Sequence, residues 1–227
     1  MKAWVIFERI EERNLDFVEA YRRAAAGSVA TYNGRYLTVS FNNTVVEGPS
    51  RNGDPRMIAI KEFPSRADAE RWFDSDEYRL ARKIREAGVT NRTMIIDAAP
   101  PAYAHQDGRE ELNGEHDTPA WVVFERLEER NLDFVPAYRK VAAASVAKFG
   151  GRYQTVSFAN PIVEGPDLGG GPNMISIIGF DSRSQALAWF ESPEYREAIN
   201  LRRDGVTNRA LIIDVIPPRY AVQHKTP

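Results

Sequence analysis

Short apolar runs alternate with amphipathic stretches along this chain, and the whole alternation occurs twice. Ala3 to Arg9 is rich in β-branched and aromatic residues and predicts a strand. Phe17, Tyr21, Ala24 and Ser28 recur at helical spacing, predicting a helix to about Tyr32 with Asn14 as N-cap and Asp16 near its positive end. Asn33-Gly34 ends it, and Arg35 to Phe41 alternates apolar and polar positions as a second strand. A loop through Gly48-Pro49 leads to a third strand, Met57 to Phe63. Ser65 and Ser75 look like helix starts, Gly88 is a good C-terminal stop, and Thr93 to Asp97 predicts the fourth strand. The order βαββαβ is the ferredoxin-like split βαβ arrangement.

The second half repeats this at an offset of 117 residues without a gap, and about 63 of the 102 paired positions from Ala3 to Ala104 are identical. Two copies of that length are complete domains, not solenoid units. The pattern therefore divides the chain into a first module (residues 1–104), a linker (105–118), a second module (119–221) and a tail (222–227). Met94-Ile95-Ile96 and Leu211-Ile212-Ile213 are apolar on both faces of a strand, so both faces of each sheet should be covered. The expected fold class is α+β, with two ferredoxin-like modules whose antiparallel sheets stack as a pseudo-dimer within one chain.

Charge sharpens the division. The first module carries 16 basic against 15 acidic residues, and residues 119–227 carry 13 against 12, while His105 to Thr118 holds five acids and one arginine. No concentrated basic field marks a nucleic-acid partner. No apolar run approaches the ~18 residues of a membrane span, and none resembles a signal peptide, so a cytoplasmic protein is expected. Cysteine is absent, and the three histidines (His105, His116 and His224) fall in the linker and tail. Thiol or imidazole catalysis, metal sites and haem ligation therefore lack their usual residues inside either module, and no cofactor is expected. Gly165 to Pro172 is glycine-rich but lacks the lysine and following helix of a phosphate loop, and reads as a hairpin loop.

Several segments together resemble a known family. Gly34-Arg35-Tyr36-Leu37, Val46-Glu47-Gly48, Glu62-Phe63-Pro64-Ser65 and Trp72 to Tyr78 are similar to domain-of-unknown-function family 1330. The second copy repeats Gly151-Arg152-Tyr153, Val163-Glu164-Gly165, Phe180-Asp181-Ser182 and Trp189 to Tyr195. The resemblance covers nearly all of each module and implies a dimeric α+β barrel, whereas the usual member has one module per chain. It brings no accepted reaction. The second copy departs from it after the third strand, where Gly179 and Asp181 replace Glu62 and Pro64.

The candidate chemistry follows strand faces. Tyr36, Thr38 and Ser40 alternate and are expected on one face, as are Trp4, Ile6 and Glu8. With Arg35, and with Arg152, Tyr153, Thr155 and Ser157 in the second copy, they are candidates for a ligand site inside the barrel. The competing reading has the same groups hydrogen-bonding across the module interface. Glu47 and Glu164 are candidate general bases. Trp72, Trp189, Tyr78 and Tyr195 read as core packing, and Arg92 with Asp97 (Arg209 with Asp214) as cross-sheet pairs. Two functions stay open: a small-molecule-binding or cofactor-independent enzymatic protein, and a non-catalytic interaction module. Exposed sheet edges also leave further homo-oligomerisation open.

Overall fold

A computed structural model describes residues 1–50, 53–105 and 120–218; the expectations for His116, His224, the linker beyond His105 and the tail lie outside these. The first copy forms β1 (Ala3–Glu12), α1 (Val18–Thr31), β2 (Arg35–Ser40), β3 (Asn43–Glu47), β4 (Ile58–Phe63), α2 (Arg66–Asp74), α3 (Asp76–Glu86) and β5 (Val89–Asp97). A 3-10 turn (Ala102–His105) follows. The second copy forms β6 (Ala120–Glu129), α4 (Val135–Lys148), β7 (Arg152–Ser157), β8 (Ile162–Glu164), β9 (Met174–Phe180), α5 (Arg183–Glu191), α6 (Pro193–Arg202) and β10 (Val206–Asp214). No helix among the described residues is long and apolar enough to cross a membrane.

Local chemistry accounts for most boundaries. Ser65 and Ser182 accept hydrogen bonds from the amides of Asp68 and Gln185, and Ser75 and Ser192 from those of Tyr78 and Tyr195, so all four serines cap helices. Asn14 does not cap α1. That helix starts after Phe17, and the Asn14 side chain instead accepts from the Asp16 amide in the turn before it.

The sheets differ from the expected four strands each. Both have five, in the orders β2-β4-β1-β5-β8 and β3-β10-β6-β9-β7, so each module donates one strand to the other. The segment after β2, expected to be loop, leaves its own module as β3 and pairs antiparallel with β10. Its counterpart β8 pairs with β5. The free edge of β5 or β10 would otherwise expose unpaired backbone groups, and the exchange covers it.

Each exchanged strand ends in a glutamate and a glycine. Glu47 receives two hydrogen bonds from Arg202, at 2.7 and 2.6 Å, and Glu164 is held in the same bidentate way by Arg85. Both arginines are 2% exposed. Gly48 and Gly165 have φ of +78° and +90°, and a Cβ there would lie 2.0–2.1 Å from the carbonyl oxygen of Asn208 or Asn91 in the other module. Only glycine permits that approach.

Between the sheets lies one apolar layer drawn from both modules. Trp4 and Trp121 stack at its centre, 5.1 Å apart and 4° from parallel, among Ile6, Ile58, Ile60, Met94, Ile175, Ile177 and Leu211. Strand alternation continues this inner face to Glu8 and its counterpart Glu125. There Arg92 donates to Glu125 at 3.0 Å and to Glu8 at 3.4 Å, while Arg209 pairs with both glutamates. All four side chains are buried and their formal charges cancel. Arg92 and Arg209 thus do not pair with the aspartates of their own strands, because their positions face inward. Asp97 binds Arg66 and Asp214 binds Arg183 instead.

Removing one glutamate of an exchanged-strand clasp leaves a buried guanidinium without its carboxylate. Glu47→Ala and Glu164→Ala should each destabilise the chain by ~3 kcal/mol, read as a lower urea midpoint with a single transition. A shift within about 0.5 kcal/mol would mean that the clasp carries little of the stability.

Candidate functional site

The polar candidates on β2 and β7 do not line a space inside the barrel. A β-bulge interrupts the pairing of β2 with β4 between Tyr36 and Thr38. Tyr36 and Val39 consequently pack on the helix side of the sheet, while Leu37 joins the intersheet layer. The expected shared face of Tyr36, Thr38 and Ser40 is therefore broken, since a bulge reverses the alternation. Thr38 donates to the carbonyl of Asp214 at 2.9 Å and accepts from the amide of Ile216 at 3.0 Å. Ser40 accepts from the amide of Asp214. Thr155 and Ser157 make the matching bonds to Asp97 and Ala99. These hydroxyls bind the edge strand of one module to the chain leaving the last strand of the other.

Arg35 lies at the surface, where it donates to Glu62 at 2.9 Å beside a shallow hollow that also includes Lys2, Phe63 and Pro64. Glu62 also accepts from the Trp4 indole at 3.0 Å. In the second copy, where glycine replaces Glu62, Arg152 turns to Asp181. Glu47 and Glu164 sit in the clasps, bound to arginines. Gly165 to Pro172 forms the β8–β9 loop, held by backbone bonds between Ile162 and both Gly169 and Gly170.

A cavity of about 170 Å³ lies on the other face of the first module's sheet, beneath α1. Phe7, Phe17, Tyr21, Tyr36, Met57 and Ala59 contribute to its wall, and Lys61 and Arg85 bring charge to it. Its position follows from β4: Ile58 and Ile60 point into the intersheet layer, which sends Ala59 and Lys61 towards the helices. Lys61 is 1% exposed. Its Nζ lies 4.4 Å from the ring centres of Phe7 and Trp72, 5.0 Å from Tyr36 and 5.4 Å from Tyr78. Among the described residues it has neither a hydrogen-bond acceptor nor a carboxylate partner.

That environment decides its protonation. Burial pushes the Lys61 pKa well below the ordinary lysine value, and Arg85 lowers it further; Glu164 opposes both. Arg85 also donates to the Tyr78 hydroxyl at 3.2 Å. Burial works against the Arg85 charge too, but Tyr78, Glu164 and Tyr21 outweigh it and hold the guanidinium protonated. Burial pushes the phenols of Tyr21 and Tyr78 upward. The pocket floor thus sets an amine whose protonated form is disfavoured beside an Arg85–Glu164 pair, and Glu164 arrives on the exchanged strand of the second module.

The second module keeps the frame but not the amine. Tyr138, Tyr153, Tyr195 and the Arg202–Glu47 pair occupy the matching positions, and Ile178 stands where the first copy has Lys61. Tyr103, from the 3-10 turn, packs edge-on against Tyr153 at 5.5 Å with the Arg139 guanidinium over its ring at 5.4 Å. Its counterpart at the same offset, Tyr220, lies outside the described residues. Trp72 and Tyr78 are fully buried and tilted against each other at 4.0 Å, with the Trp72 indole donating to Ser28, so they serve as packing. Reading the strands by face missed Lys61 and Arg85. The available signal was the lysine-to-isoleucine difference between otherwise similar copies. No group of three or more His, Cys, Asp or Glu side chains among the described residues could hold a metal ion.

Compared by sequence with the curated proteins, the chain matches none. Residues 2–99 and 112–216 each match the family model described as domain of unknown function DUF1330. The crystal structure of an anthrone oxidase-like protein superposes with a TM-score of 0.56 at 12% identity, covering 95% of this chain and 91% of that one. A chlorite dismutase variant from Candidatus Nitrospira defluvii gives 0.52 at 12% identity, covering 95% and 92%. At such identity the shared property is the fold: the dimeric α+β barrel, here built within a single chain.

A buried amine without a partner costs stability, and its cost depends on pH. Lys61→Ile, which installs the second copy's residue, should raise stability by at least ~1 kcal/mol near neutral pH. The folded-state pKa is lowered, so the unfolded chain binds more protons over the window between that value and the ordinary ~10.4. The wild type should therefore gain on the variant as pH rises through this window, and the gap should be largest below it. Urea denaturation of both proteins across pH checks this; a gap independent of pH would contradict it.

Proposed function

The chain belongs to the DUF1330 family, twice over, and we propose that it binds a small, mainly apolar molecule in the pocket beneath α1 of its first module. One observation carries this reading: a cavity with aromatic walls contains a buried lysine that the protein leaves without a polar partner. Burying such a group costs free energy. The second copy shows that isoleucine fits the matching position, so packing alone does not call for lysine there. A ligand bearing a carbonyl, hydroxyl or carboxylate group would supply the missing partner, while Phe7, Phe17, Tyr21 and Tyr36 would cover its apolar body. The second module contributes Glu164, which neutralises Arg85 and spares Lys61 the full effect of a second buried cation. On this reading the site is the outer face of the sheet and not the barrel interior.

The interaction-module alternative draws on the filled intersheet layer, which accounts for why two sheets are fused. It gives no reason for Lys61. The relatives' names do not decide between the two readings, since their likeness is one of fold.

Thermal unfolding with a panel of small aromatic alcohols, ketones and carboxylic acids tests the proposal. At least one class should raise Tm, with stabilisation approaching ~2.7 kcal/mol at a hundredfold excess over Kd. Ala59→Leu, which fills the cavity from its wall, should abolish that shift while leaving the protein folded. A panel without effect, or a shift unchanged in Ala59→Leu, would refute the placement of the ligand.

A further inference from the structure

We infer that Lys61 is a covalent site: its amine forms an imine with the carbonyl carbon of a small apolar aldehyde or ketone bound in the pocket. The inference deepens the proposed function and rests on the pocket being a ligand site. Three features of the geometry lead to it. Lys61 lines the cavity and is 1% exposed. Its nitrogen is left to the aromatic rings, since it has neither a hydrogen bond nor an ion pair among the described residues. The neighbouring walls are aromatic and aliphatic, which suits the body of an apolar carbonyl compound and disfavours a charged one.

The surroundings favour the nucleophile over the ammonium ion. The charged and titratable groups around the pocket and Lys61 are Tyr21 and Arg22 on α1, Tyr36 on β2, Tyr78 and Arg85 on α3, Arg9 on β1 and Glu164 on β8. Arg85 and Glu164 are committed to each other, and burial keeps the phenols of Tyr21 and Tyr78 protonated. None of them is a free carboxylate that would draw a proton onto Lys61. Lysines desolvated in apolar pockets or placed near another cation become nucleophilic at neutral pH for this reason.

The step balances without a further reactant. The nitrogen lone pair forms the C–N bond as the carbonyl π pair moves to oxygen. Both amine protons pass to that oxygen, which leaves as water as the C=N bond forms. The imine then withdraws electrons from the adjacent carbon, so chemistry at that carbon is what such a site would promote. The second module, with Ile178 in place of the lysine, has no equivalent reaction.

The sequence holds five other lysines, Lys2, Lys83, Lys140, Lys148 and Lys225, which serve as references within the same sample. The full-length protein is incubated at neutral pH with benzaldehyde and sodium cyanoborohydride, and modification is mapped by peptide mass spectrometry. Lys61 should acquire a benzyl group at least ~10-fold faster than any of the five, since a lowered pKa raises its neutral fraction. Lys61→Ile and Lys61→Met should lose the fast phase while keeping the wild-type circular dichroism spectrum. Labelling of Lys61 no faster than the others, or its absence there, would overturn the covalent site. Benzyl alcohol, which cannot form an imine, separates the two ideas. If it raises Tm in a protein that fails to label at Lys61, the covalent site falls and the binding pocket stands; if it has no effect either, the covalent site and the pocket reading fall together.

Discussion

Each sheet is closed by a strand from the other copy, and that exchange is the constraint on which the other features depend. β3 and β8 cover the open edges of β10 and β5, and the chain beyond β5 and β10 runs along β7 and β2. The intersheet layer, the Trp4–Trp121 stack and the buried charges of Glu8, Arg92, Glu125 and Arg209 all lie between surfaces held in register this way. Neutralisation decides whether those charges are tolerated. An isolated buried ion costs several kcal/mol, whereas a closed set of two acids and two arginines offsets most of its own desolvation. The same principle operates at Arg85–Glu164 and Arg202–Glu47, where the carboxylate comes from the exchanged strand.

Lys61 is the exception to that pairing. Each buried arginine described above has a carboxylate, but the buried lysine has only aromatic rings. Ring faces attract a cation by ~0.5–2 kcal/mol, less than desolvation of an ammonium ion costs, so burial draws the Lys61 pKa downward. The exchange matters here as well, because without Glu164 the charge on Arg85 would face Lys61 unopposed. Fusion of the two copies makes such asymmetry available. In a dimer of identical chains a lysine at this position would appear twice, whereas here one copy carries Lys61 and the other Ile178.

Much of the architecture was legible in the residues. The repeat, the helix-capping serines and the doubly apolar last strands led to two ferredoxin-like modules with stacked sheets. The exchanged strands were not legible, because Asn43–Glu47 and Ile162–Glu164 are short and sit beside glycine-rich segments that read as loop. Their partners lie in the other module, 163 residues away for the Glu47–Ala210 pair, which no local pattern encodes. The bulge in β2 likewise misdirected the assignment of faces: period-two counting places Tyr36 with Thr38, and one extra residue separates them. Glu47 and Glu164 stood out as candidate bases, but their arginine partners on α6 and α3 could not be read from spacing. Lys61 was concealed differently. A lysine in a strand ordinarily marks a solvated face, and the one sign in the residues that this face is covered is the isoleucine at the matching position, Ile178.

If Lys61 is a buried amine held in its neutral form, an NMR titration of the lysine side-chain resonances will show it. Lys61 would be assigned from the signal missing in Lys61→Ile. This resonance should titrate well below those of the other lysines and remain deprotonated at neutral pH. Titration together with the others near the ordinary value of ~10.4 would contradict it.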